Sequence, residues 1–209
     1  MSTAVGYDMY FTDPLTKAEE VALEAAEAAI SAAVHPSHLP EGPEREAAWL
    51  VWDAMWEARD EAMGHYFRLN IWGMGSCRKA MAKLGMLTEQ DHPAWPDPVD
   101  FGLPKDDPWG DGENEAEGGD ALAEARERFE QAQKGVVEAE PQPVTGIPLY
   151  KLCSNDGWLV TPAEIKAALT SWEAADESDR RTAVGEHDWF PEWIDWLGKA
   201  KERGGFRVY

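Results

Sequence analysis

The chain has 209 residues and a formal net charge of −21, from 19 Lys and Arg against 40 Asp and Glu, with 44% hydrophobic residues. That length fits one α+β domain, or one domain with a large insertion, and the apolar share is enough for a core. The charge argues against direct contact with a nucleic-acid backbone, whose affinity comes mainly from Lys and Arg displacing counterions.

Tyr7 to Phe11 reads as a first strand, ended by Asp13-Pro14. Thr16 and Glu19 have the spacing of a capping box and open a helix from about Lys17 to Val34. Ala22, Ala25, Ala29 and Ala33 recur at helical spacing beside Val21 and Ile30, which predicts a small-residue stripe against a neighbour. His35 to Gly42 is a loop punctuated by proline. Pro43 starts a second helix to about Met63, with Trp49, Trp52, Trp56 and Met63 on one face. The two helices are expected to form an antiparallel hairpin.

Phe67, Leu69 and Ile71 alternate as in a strand, but Ile71, Met74, Arg78, Met81 and Leu84 repeat at helical spacing. A helix capped by Asn70 is the preferred reading, with Gly85 just past its end. Ser76, preceded by a strand, is the competing cap. From Thr88 to about Gly119 prolines break regular structure and acids dominate. Glu89, Asp91, Asp97, Asp100, Asp106, Asp107, Asp111, Glu113, Glu115, Glu117 and Asp120 face only Lys105. This predicts an exposed acidic insertion spanning 88–143, pinned in part by Trp95, Phe101 and Trp109. It carries a polar helix from Asp120 to about Lys134, whose stripe is Leu122, Ala125, Phe129 and Ala132.

Ile147 to Cys153 reads as a strand. Asn155-Asp156-Gly157 is turn chemistry and Trp158-Leu159-Val160 favours a second strand, so the pair predicts a hairpin. Thr161, Pro162 and Glu164 then open a helix to about Ala174 that buries Ile165, Ala168, Leu169 and Trp172. A polar loop, Asp176 to Asp188, leads to a last helix from about Pro191, with Trp193, Trp196, Leu197 and Ala200 inward. Gly204-Gly205 stops it before a terminal strand, Phe206 to Tyr209. The expected architecture is one α+β domain over 1–209. Its small, mainly antiparallel sheet comes from the N-terminal strand, the Asn155–Gly157 hairpin and the C-terminal strand, with helices on one face.

Cys77 and Cys153 make no disulfide framework, and both read as core thiols. No basic segment followed by an apolar core opens the chain, and no apolar run reaches membrane-spanning length, so a cytoplasmic location without membrane contact is expected. The motifs of phosphate loops, dinucleotide folds, paired Cys-x-x-Cys sites and nucleophile elbows are missing. His35 and His38 sit in a proline loop and lack further metal ligands. Glu186-His187-Asp188 reads as solvated surface. No cofactor and no metal is expected.

Three motifs stand out: Phe67-Arg68-Leu69-Asn70-Ile71-Trp72, Asn155-Asp156-Gly157-Trp158-Leu159-Val160-Thr161 running into Glu164, and Gly204-Gly205-Phe206-Arg207-Val208-Tyr209. Together with Gly6-Tyr7-Asp8-Met9-Tyr10, they resemble a group of bacterial proteins found especially in actinobacteria and their phages. The resemblance covers about half of the chain, outside the acidic insertion, and implies no activity and no catalytic residue. The polar and aromatic members of these motifs, Tyr7, Asp8, Arg68, Asn70, Asn155, Asp156, Trp158 and Arg207, are the candidate ligand-binding set. Acidity, eleven tryptophans and the missing catalytic motifs point to a non-enzymatic interaction protein that binds a host protein with a basic surface. The alternatives are a small-ligand binder or hydrolase built on the candidate set, and an acidic DNA mimic.

Overall fold

A computed structural model describes residues 6–106, 108 and 119–209. Asp107, Trp109, Asp111, Glu113, Glu115 and Glu117 of the acidic stretch lie outside the described residues. In chain order the elements are β1 (Gly6–Phe11), α1 (Lys17–Ala32), α2 (Pro43–Ala62), β2 (Tyr66–Asn70), α3 (Ile71–Lys83), β3 (Leu87–Thr88), α4 (Gly119–Val137), β4 (Ile147–Pro148), β5 (Trp158–Val160), α5 (Pro162–Ala174), α6 (Glu177–Val184), α7 (Phe190–Glu202) and β6 (Phe206–Val208). Four strands form an antiparallel sheet in the order β2-β1-β6-β5, and β3 pairs with β4 in a separate parallel ribbon. The fold is α+β.

Alternation along the strands decides which face is covered. Met9, Leu69, Val160, Phe206 and Val208 are buried, and Tyr7, Phe11 and Phe67 pack beside them. Onto this face α3, α5 and α7 bring Met74, Cys77, Met81, Ile165, Ala168, Trp193, Leu197 and Ala200. Trp193 and Trp196 stack at 5.4 Å, and Phe11, Phe67 and Phe206 close around Trp196. A smaller cluster ties part of the insertion together: Leu103, Ala125 and Phe129, with Phe101 and Leu122 against them.

Several expectations need correction. The segment around Asn70 is both strand and helix: β2 ends at Asn70, whose side chain caps α3 by accepting the Gly73 N–H at 2.7 Å. The sheet therefore gains β2, and Ile71 is exposed rather than part of the α3 stripe. The predicted hairpin does not form. Only Ile147–Pro148 is strand, paired with β3, and Leu149–Leu152 is a 3-10 turn. Proline 148 cannot donate to a ladder, and the turn points Lys151 and Leu152 inward, which leaves Cys153 exposed rather than in the core. The partner of β5 is β6 instead. The polar loop before α7 contains α6, because the Asp176 side chain accepts the Asp179 N–H at 2.7 Å and starts a helix. On α1 the half-buried stripe is Leu23, Ala26, Ile30 and Ala33, while Val21, Ala22, Ala25 and Ala29 are exposed.

One ion pair fixes the start of α1 to the end of α7. Arg203 donates to both carboxylate oxygens of Glu19, at 2.8 and 3.3 Å, and to Pro14 O. Chiefly through that bond to Arg203, and also as the reciprocal partner of Thr16 in the capping box, Glu19 is held down at about 2 from 4.5. A carboxyl lowered on folding adds stability above its unfolded value, and that addition is lost as the pH falls from 4.5 through about 2. Because Glu19 is partly exposed, Glu19→Gln should cost up to about 1 kcal/mol at pH 7. Urea unfolding of both proteins across this range should show the difference shrinking to nothing near pH 2. A gap that persists there would assign the loss to packing rather than charge.

Candidate binding surfaces

The other face of the sheet carries the alternate residues. Here Asp8 of β1 lies opposite Arg68 of β2. Arg68 Nε is 3.5 Å from Asp8 Oδ1, and the Tyr66 hydroxyl donates to the same oxygen at 2.5 Å. Burial first, then this bond, pushes the Tyr66 phenol up to about 12. Tyr10 stands 5.0 Å from the Tyr66 ring and 6.3 Å from Tyr209. Arg68 and Asn70 also border a depression of about 470 Å³ with Met63, Phe67, Trp189 and Glu192.

Further along the sheet, Arg207 donates to Gly157 O at 2.9 Å and pairs with Glu138. Arg207 and Asp156 line a second depression of about 470 Å³ with Trp95, Lys134 and Val137. The remaining candidates hold the fold. The Tyr7 hydroxyl donates to Cys153 O at 3.3 Å, with the Arg78 guanidinium 5.8 Å above its ring. Asn155 donates to Gly6 O at 2.9 Å. Trp158 is fully buried, donates to Ser154 Oγ at 3.0 Å, and meets Tyr150, His92 and Trp95. The candidate set is thus divided into Asp8–Arg68–Asn70 and Asp156–Arg207, with Tyr7, Asn155 and Trp158 as ties. Sequence reading missed Tyr66, Glu138, His92 and Tyr150, while Trp95, expected to pin the insertion, lies 5.4 Å from Trp158. Only Tyr66 had a signal, as the strand residue two before Arg68.

Two buried groups, Cys77 and Lys151, are taken up by the core, while the free thiol of Cys153 is exposed and borders a depression with His92 and Tyr150. Cys77 is sealed in the core beside Met81, and burial pushes its thiol far up, away from the reactive thiolate. Lys151 and Glu164 meet at 2.7 Å with no exposure, and the ammonium also donates to Ala139 O and Leu159 O. Burial lowers the lysine and raises the glutamate, and their mutual attraction opposes both shifts. All three ammonium donors are used, so Lys151 has none left for a substrate. Among the described residues, no group of three or more His, Cys, Asp or Glu is placed to hold a metal ion. Nor is any helix there long and apolar enough to cross a membrane.

The α1–α2 hairpin holds two long helices, and like the short α6 they add no buried residue to the core. Glu27 lies 3.9 Å from Arg59, and Ala33 and Val34 border one groove with Ala48, Val51 and Met55, so the two helices run antiparallel. Its two helices span 16 and 20 residues, yet neither buries a single residue. The half-buried residues are Leu23, Ala26 and Ile30 on α1 and Ala48, Trp52, Met55 and Arg59 on α2, one stripe on each helix. Outside these stripes Val21, Val34, Trp49, Leu50, Val51 and Trp56 are exposed. Leu50 is 74% exposed. His35 packs edge-on against Trp49 and Trp52, at 5.3 and 4.8 Å, which explains the tryptophan face seen in the sequence. Beside the closed end lies a groove of about 430 Å³, walled by Val34 and Leu39 on one side and by Ala47, Val51 and Met55 on the other.

No protein-family model, no curated protein and no solved structure matches this chain.

Proposed function

We propose that this chain is a non-enzymatic interaction protein that presents the α1–α2 hairpin to a host protein with a basic surface. A hairpin whose two helices bury no residue supports this reading most. Most helical stability in proteins comes from burying an amphipathic face. Here, aliphatic and indole groups instead remain at the surface of the two helices. From Lys17 to Ala62, eleven carboxylates stand against Lys17, Arg45 and Arg59. Apolar anchors inside a charged rim are the usual composition of an interface that gains its energy from a few residues. The proposed setting, a bacterial host cytoplasm, follows the resemblance to actinobacterial and phage proteins.

The test is capture from an actinobacterial lysate with salt-step elution, comparing the wild-type chain with Trp49→Ser/Leu50→Ser and, on the sheet face, Tyr10→Ser. Leu50 is 74% exposed, but Trp49 is 37% exposed and meets His35, so urea unfolding of the hairpin variant has to match the wild type to within about 1 kcal/mol before the captures are compared. A protein held by the wild type and by Tyr10→Ser, and lost with the hairpin variant, is the expected result. The same protein retained by the hairpin variant would remove the reading.

A further inference from the structure

We infer that the groove at the closed end of the α1–α2 hairpin receives one basic amphipathic helix of a partner protein, laid as a third helix against α2. The inference rests on the reading of the hairpin as the docking element, and it adds the shape and chemistry of what docks.

Three observations select this occupant. The first is the nature of the walls. Ala47, Ala48, Val51, Trp52 and Met55 come from α2, and Ala33, Val34 and Leu39 from the cap of α1 and the loop after it. The backbone groups of an α-helix interior are bonded within the helix. Along the α2 wall, which supplies most of the lining, an extended peptide would find no ladder partner and would leave its own N–H and C=O groups unsatisfied. A helix brings its backbone bonds with it and needs only side-chain contacts.

The second is length. Ala47 to Met55 covers about 12 Å along α2 at 1.5 Å per residue. Apolar residues at i, i+3 or i+4, and i+7 of a docking helix span nearly the same distance, and this is how helices are read by grooves. Small residues at Ala33, Ala47 and Ala48 let that ridge approach closely, with Val34, Leu39, Val51 and Met55 as the apolar surround.

The third is charge. Glu44 lines the groove itself, and the hairpin carries eleven carboxylates against three basic side chains. Cations on the flanks of the incoming helix meet this rim, which steers association and suppresses acidic competitors. A second copy of the chain would bring the same excess of carboxylates to the contact, and a nucleic acid would bring phosphates. Both meet like charge.

The probe is a synthetic peptide of about 20 residues, or ~30 Å as a helix, with leucine at helical spacing and lysine elsewhere. Its controls are the same residues re-ordered to alternate leucine and lysine, and the glutamate-for-lysine version. Binding is followed by titration and by amide chemical shifts of the full chain. Saturable one-to-one binding is expected, with shifts confined to the groove around Val34–Leu39 and Ala47–Met55, and with the peptide turning helical. Val34→Ser/Val51→Ser changes two exposed side chains without altering charge and should weaken binding about tenfold or more. Trp72→Ser, at an 85% exposed position on another surface, should leave it unchanged.

Equal affinity for the re-ordered peptide, shifts spread over carboxylates throughout the chain, or an unaltered Kd for the double serine variant would overturn the inference. So would a dimer in sedimentation equilibrium that Val34→Ser/Val51→Ser dissociates, since the groove would then belong to a second copy. If the peptide fails while lysate capture still depends on Trp49 and Leu50, only the shape of the partner is wrong. If capture is indifferent to the hairpin, the broader reading fails as well.

Discussion

Replacing Lys151 by alanine should destabilise the protein by about 3–5 kcal/mol, the cost of removing one partner from a buried ion pair. The reason lies in what remains behind. Glu164 is 1% exposed, and its carboxylate would lose the ammonium 2.7 Å away. Ala139 O and Leu159 O would lose their donor at the same time. These two carbonyls belong to the segment after α4 and to β5, so the lysine joins three parts of the chain that share no sheet pairing with one another. Lys151→Met/Glu164→Gln tests the cause. The glutamine keeps an acceptor for the Thr161 N–H, which Glu164 now binds at 2.8 Å, and no buried charge is left alone. The double variant should recover a large part of the loss in urea-induced unfolding. If it is as unstable as Lys151→Ala, the lost lysine contacts, rather than the stranded charge, set the cost.

Gly205→Ala should cost more than about 3 kcal/mol, because two penalties act together. Gly205 has φ 91°, and a Cβ there would sit 2.2 Å from Val160 O. That oxygen belongs to β5, the edge neighbour of β6, so relief requires the sheet to open at Val160–Phe206. Gly205 also accepts the Thr12 N–H at 3.0 Å and donates to Ala200 O at 2.9 Å, and any shift strains both bonds. Gly102→Ala supplies the comparison. Its φ is 78°, in the left-handed region, but nothing lies within 4 Å of the added carbon. It should lose only about 1–2 kcal/mol. Equal losses in the two variants, measured by thermal or urea unfolding, would show that backbone conformation alone matters and that the Val160 contact yields easily.

Much of this architecture is set by local chemistry, and there the sequence was sufficient. Thr16 with Glu19, and Thr161 with Pro162 and Glu164, make their capping boxes as the spacing requires. Asn70 caps α3, and Gly85 takes φ 67° just past its end. The inward stripe of α7, Trp193, Trp196, Leu197 and Ala200, repeats at helical period and is buried throughout. Each of these depends on residues within one or two turns, so no distant partner is needed to specify them. The α+β class followed from the same signals.

What pairs with what was decided only by the tertiary structure. Trp158–Val160 carries strand chemistry, but nothing in it distinguishes the adjacent Ile147–Cys153 from the distant Phe206–Val208 as a partner. Pro148 cannot donate to a ladder and Leu149–Leu152 turns instead, carrying Lys151 to Glu164, so β5 pairs with β6. The division of Arg68 and Asn70 from Asp156 and Arg207 into two depressions depends on the order β2-β1-β6-β5, a long-range property without local trace. The hairpin shows the same limit. Its helices, its loop and the Trp49–Trp52–Trp56 face are written in their periodicity. That α1 and α2 bury only a seam against each other, and leave Val34, Leu50 and Val51 to solvent, depends on where the core stops, and only the packed molecule sets that boundary.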